Sequence, residues 1–225
     1  MKHKLFILVC MIFSCNAIGQ KLYIFIPTEY KAVDVERKFR EIYKGYTIRS
    51  FSNVIDFKKA VSIDTPDAII TKPQLIPLLD VYTIKLNATH SGSTKESFFI
   101  LSVGNPLSLA DLTNKNIGIL DFLGRKQIDS FTDNLFNGNP KLKRVKKTAD
   151  LIPLLTMNLV DGVIASASQI AYIKSRSQLA LHTTKCKNDQ GIAVLALYKN
   201  SDEIVKKLKQ LPTEVSLMIG VDGWE

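Results

Sequence analysis

The apolar positions fall in short blocks whose order repeats. Leu22-Tyr23-Ile24-Phe25-Ile26 is a continuous apolar run closed by Pro27, which predicts a strand buried on both faces of a parallel sheet. From Val35 the apolar residues Phe39, Ile42, Tyr43 and Tyr46 recur at helical spacing, with Asp34 placed to cap the start and Gly45 to supply a left-handed residue at the end. Thr47 to Phe51 reads as a strand, Val54 to Ser62 as a short amphipathic helix and Asp67 to Thr71 as a third strand. The order β-α-β-α-β then recurs: strand Asn116–Asp121, helix Arg125–Phe136, strand Leu142–Lys146, helix Leu151–Leu159 and strand Asp161–Ala165, at nearly the same spacing.

Two such halves predict an α/β protein of two lobes, each a mostly parallel sheet with right-handed crossovers, flanked by helices. Ser97 to Val103, ending in Gly104-Asn105-Pro106, can carry the chain from one lobe to the other, and Gly191 to Tyr198 can bring it back. Two hinge strands follow, near Ile100 and Val194, with helices at Ser201–Gln210 and Thr213–Met218 closing the chain. The expected division is residues 20–99 with 195–225 for the first lobe and 100–194 for the second.

Ahead of the first strand, Lys2 and Lys4 precede an apolar stretch, Leu5 to Phe13, too short to span a bilayer. Ala17 and Gly19 supply the small residues of a cleavage site, so residues 1–19 read as a signal peptide and a periplasmic or secreted location follows. The alternative is a lipid anchor on Cys15, against which the bulky Phe13 speaks. Loss of Cys10 and Cys15 with the signal leaves Cys186 alone, so stability must come from packing rather than disulfides. The 225 residues, 46% hydrophobic and 23% charged, suffice for that, and the net charge of +9 stays clearly basic after cleavage.

Pro106-Leu107-Ser108-Leu109-Ala110-Asp111-Leu112 followed by Lys115-Asn116-Ile117-Gly118-Ile119, together with Leu159-Val160-Asp161-Gly162-Val163-Ile164, resembles the type II periplasmic solute-binding proteins. The phosphate/phosphonate-binding branch of ABC transporter substrate-binding proteins is the most similar. Asn158 departs from the glycine that the family commonly has there, and asparagine also tolerates a left-handed backbone. The resemblance implies a protein that closes on a small ligand without chemistry of its own, as a monomer partnered by a membrane permease. The same cleft physics also serves an orphan sensing subunit docked on a membrane receptor, kinase or cyclic-dinucleotide enzyme, or an enzyme built on the same lobes.

Ligands of open parallel sheets collect beyond the carboxyl ends of the strands. That rule selects Thr28, Glu29, Tyr30, Ser52, Asn53, Thr71 and Lys72 in the first half, and Phe122, Gly124, Arg125, Ser166 and Ser168 in the second, with His90 flanking. Arg125 is the sharpest of these, because a guanidinium fork grips a carboxylate or phosphonate in two parallel hydrogen bonds. Thr71 and Ser166 hold equivalent positions in the two halves. Glu29 opposes an anion and suits an amine.

No nucleophile elbow, P-loop, dinucleotide fingerprint or zinc spacing is present, so neither catalysis, a cofactor nor a metal is expected. His182 and Cys186 are four apart, but their surroundings read as strand end and loop. The basic run Lys141, Lys143, Arg144, Lys146, Lys147 reads as one solvated strand face; without interleaved aromatics it does not make a nucleic-acid platform.

Overall fold

The computed structural model describes residues 19–136 and 138–225. The expected signal segment, with Cys10 and Cys15, lies outside the described residues except for Gly19. In chain order the strands and helices are β1 (Lys21–Phe25), α1 (Ala32–Ile42), β2 (Thr47–Ser50), α2 (Val54–Asp64), β3 (Ala68–Thr71), β4 (Thr83–Thr89), β5 (Lys95–Glu96) and β6 (Phe98–Val103). They continue as β7 (Asn116–Leu120), α3 (Arg125–Leu135), β8 (Lys141–Val145), α4 (Leu151–Thr156), β9 (Gly162–Ser166), α5 (Ala167–Arg176) and β10 (Leu181–Lys185). The last are β11 (Gln190–Gly191), β12 (Val194–Leu197), α6 (Asp202–Lys209), α7 (Thr213–Met218) and β13 (Gly223–Trp224).

The two β-α-β-α-β halves form separate sheets. The first runs β13-β4-β12-β3-β1-β2 and the second β10-β6-β9-β7-β8. In each, the strands of the repeat are parallel: β1 to β2 and β3, β7 to β8 and β9. The strand that joins each sheet from the other lobe, β12 or β6, lies antiparallel to its neighbours. Both sheets are therefore mixed rather than mostly parallel, because a strand arriving from the opposite lobe runs against the repeat.

The repeat has a physical cause. Asp67 Oδ2 accepts the backbone N–H of Lys21 at 2.8 Å, and Asp161 Oδ2 accepts that of Asn116 at 2.7 Å. In each half an aspartate ahead of the third strand thus pins the first residue of the first strand. Gly162 follows because a Cβ there would stand 2.9 Å from the Leu101 carbonyl oxygen on the adjacent strand. Asn158 adopts the expected left-handed turn (φ 52°), as does Gly45 (φ 84°).

The passage between sheets differs from the sequence reading. β6 lies wholly in the second sheet and Val194 in the first, so the chain crosses at β5 and β11, a few residues before the 99/100 and 194/195 divisions. These two crossings pair with each other, Gln190 with Glu96 and Gly191 with Lys95. α1 also begins earlier than expected: Lys31 is its N-cap, while Asp34 sits in the first turn and pairs with Arg37 at 2.9 Å. One apolar cluster, including Phe25, Phe51 and Phe57 of the first lobe and Phe122, Leu123 and Phe131 of the second, continues from one sheet to the other. Among the described residues no helix is long and apolar enough to cross a membrane.

Candidate functional site

The carboxyl ends of β1 and β2 face those of β7 and β8 across a cleft of about 370 Å³. Its first-lobe wall is the segment Pro27 to Ala32 with Ser50 to Asn53; its second-lobe wall is Leu120 to Phe122, Lys146 to Ala149, and Tyr172. A narrow extension of about 30 Å³, room for roughly one water, continues to the crossing strands between Lys72, Glu96, Ser166, Ser168 and Gln169. The volume is at the small end of the range for metabolite sites, about 300 to 1,000 Å³.

The polar groups at the narrow end satisfy one another. Lys72, at the end of β3, forms an ion pair with Glu96 on the crossing strand, and both side chains are nine-tenths buried. Ser168 Oγ donates to the other Glu96 oxygen at 3.3 Å and shares a 2.8 Å hydrogen bond with Ser166. Ser166 also caps α5, and Gln169 completes the reciprocal capping box while donating to Thr148 Oγ1 at 3.3 Å. First lobe, crossing strand and second lobe are thereby tied at one point.

Elsewhere along the cleft, Thr28 Oγ1 donates to the Met218 carbonyl at 2.9 Å, and Asn53 caps α2 through the Asp56 N–H at 3.0 Å. Asp121 accepts the Gly124 N–H at 2.7 Å, with Arg144 4.0 Å away. These groups hold loops in place. Lys31, Lys146 and Lys147 are different: they are exposed, line the cleft, and make no ion pair with any described residue. Glu29 is exposed too, with only Thr28 Oγ1 at 3.3 Å. At the cleft's edge Lys58 Nζ, from α2, donates to the Leu123 carbonyl of the other lobe at 2.9 Å; burial lowers its pKa, and Asp121 partly offsets that.

Of the residues singled out by sequence, the structure brings Thr28, Glu29, Tyr30, Ser52, Asn53 and Phe122 together in the cleft and Lys72, Ser166 and Ser168, again with Phe122, in its extension. The others lie off it. Arg125 is exposed at the start of α3 behind Gly124 and lines neither part. Gly124 is the N-cap of α3, with a positive φ of 91°. Thr71 is fully buried, its hydroxyl without a hydrogen-bond partner among the described residues. His90 sits in a turn beyond β4, 3.9 Å from Asp222. Sequence reasoning treated Lys146 and Lys147 as solvated strand face. They follow the last residue of β8, where the chain leaves the sheet and alternation no longer decides direction. Tyr172 was missed with its helix, although Ser166-x-x-Gln169 is a capping-box signature. His182 lies in β10, not a helix, and no group of three or more metal-binding side chains occurs among the described residues.

The sequence matches no protein-family model and no curated protein. Solved structures do match. A binding-protein component of a phosphonate ABC transporter from Pseudomonas aeruginosa superposes with a TM-score of 0.62 at 12% identity, covering 92% of this chain and 81% of that one. The chain has the type II periplasmic binding protein fold. An amino acid ABC transporter substrate-binding protein from Streptococcus pneumoniae, bound to L-arginine, shares that fold at a TM-score of 0.58 and 16% identity, covering 89% and 93% of the two chains. So does the GluR0 ligand-binding core with L-glutamate, at 0.57 and 17%, covering 91% and 97%. The paired crossings β5 and β11 connect the two sheets beside the cleft's narrow extension.

Proposed function

We propose that the chain is a solute-binding protein that captures a small anion between its lobes outside the cytoplasm and hands it to a membrane permease of the ABC type. The observation that carries this reading is a cleft walled by both lobes, whose chain crossings are short, adjacent and paired. Lys31, Lys146 and Lys147, without an ion-pair partner among the described residues, outnumber the exposed Glu29 on its walls and favour an anion over a cation. Bending about residues 95–96 and 190–191 closes the lobes, and differential contact with the ligand drives the closure. The ABC transporter binding proteins among the structural neighbours support the partner.

The test is a thermal-shift screen of oxyanions, phosphonates, amino acids and polyamines, because a ligand that binds only the folded form raises the melting temperature. Anionic hits accompanied by a smaller radius of gyration in solution scattering are expected. Arg125→Ala, off the cleft, should leave the shift unchanged. A screen in which only polyamines bind would remove the anion, and hits that leave the radius unchanged would remove the closing cleft.

A further inference from the structure

The distribution of satisfied and unsatisfied groups narrows the ligand further, on the reading that the cleft is a capture site. We propose that it takes an anion carried on a flat apolar body, such as an aromatic carboxylate or phosphonate, rather than a compact oxyanion. At the narrow end Lys72 is already neutralised by Glu96 and the serines are bonded to one another and to that carboxylate, so no cation there is left for a ligand. The cleft-lining cations without an ion-pair partner among the described residues, Lys146 and Lys147 of the second lobe and Lys31 of the first, stand on the walls of the wider part. A ligand charge therefore belongs on the wide side.

Besides these lysines and the polar groups Thr28, Glu29, Ser52, Asn53 and Asp121, that wall carries aromatic side chains from both lobes. Phe51 and Phe122 are fixed by edge-on packing, Phe51 against Phe57 at 5.6 Å and Phe122 against Phe131 at 5.1 Å, and both reach the cleft. Tyr30 from the first lobe and Tyr172 from the second are only partly covered. A phosphate or acetate ion would satisfy the lysines and leave the rings of Tyr30 and Tyr172 facing water. An aromatic ring would cover them, and Tyr30 and Tyr172, one per lobe, would each gain contact only on closure.

The probes are three pairs: phenylphosphonate against methylphosphonate, benzoate against acetate, and benzylamine against methylamine, each titrated into the purified protein by calorimetry. An aromatic anion is expected to bind at least about tenfold more tightly than its aliphatic partner, with neither amine binding. Lys146→Gln/Lys147→Gln should weaken that binding about tenfold and flatten its dependence on salt. Tyr30→Ala/Tyr172→Ala should narrow the difference between aromatic and aliphatic anions; circular dichroism checks that both variants fold. Equal or tighter binding of methylphosphonate or acetate overturns the apolar body but leaves anion capture standing. Preference for benzylamine overturns the charge assignment. Binding by none of the six overturns this ligand class, and the broader metabolite screen then judges the capture reading by itself.

Discussion

Lys72 and Glu96 are a lysine and a glutamate nearly removed from water, and such groups persist only when each satisfies the other. Removing one leaves the other charged and buried. Lys72→Met is expected to lower stability by about 3 kcal/mol, and Lys72→Met/Glu96→Leu to recover most of it, since a packed apolar pair often replaces a buried ion pair at little cost; urea denaturation reads both. Asp64 behaves differently, at the surface. The hydroxyl of Tyr23 donates to it and, with the weaker attraction of Lys21 and Arg49, holds its carboxyl below the usual range. A depressed carboxylate contributes stability that is present above its unfolded value, about pH 4, and is lost as pH falls through its folded value. Asp64→Asn should therefore shrink the loss of stability between neutral and strongly acidic pH, measured as the change in urea midpoint. Cys186 needs no such role: burial pushes its thiol up to about 12, so it packs as a small apolar group.

Among the elements, the crossing pair β5–β11, two residues each, is the most consequential. Gly191 allows it, because a Cβ there would stand 2.5 Å from Cγ of Pro73. That ring opens the 3₁₀ turn Pro73–Leu78 and cannot swing aside as a long side chain would. Gly191→Ala is expected to cost about 1 to 3 kcal/mol by overpacking and to alter the lobe angle, visible as a lower melting temperature together with a changed radius of gyration. Most of the long elements were legible from periodicity, β1, α2, β7 and α3 among them, because each buries one face or both through its own residues. β4 was passed over although Ile84, Leu86 and Ala88 alternate with polar residues, the pattern of a half-buried antiparallel strand. β5 and β11, two residues each, carry no periodicity to read.

At the scale of the whole molecule, the interlobe contacts decide how readily the cleft opens. Besides the Lys72–Glu96–Ser168 link beside the crossings, Lys58 reaches from α2 to the Leu123 carbonyl. Lys58→Met deletes that hydrogen bond while keeping much of the apolar stem. The expected results are a larger radius of gyration in the unliganded protein and a severalfold faster ligand release, the latter read by stopped flow, since most changes at an interface appear in the dissociation rate.

The sequence by itself determined the two α/β halves, their helices and the loops that could meet a ligand, because burial periodicity and capping are local and each segment carries its own record of them. Only the tertiary structure decided which candidates share a space. Arg125 and Lys147 look alike in sequence, each a cation beyond a strand of the second half, yet one lies off the cleft and the other lines it. The difference arises from how two distant sheets are set against each other through β5 and β11. Those contacts join residues far apart in the chain, and no local pattern encodes their direction.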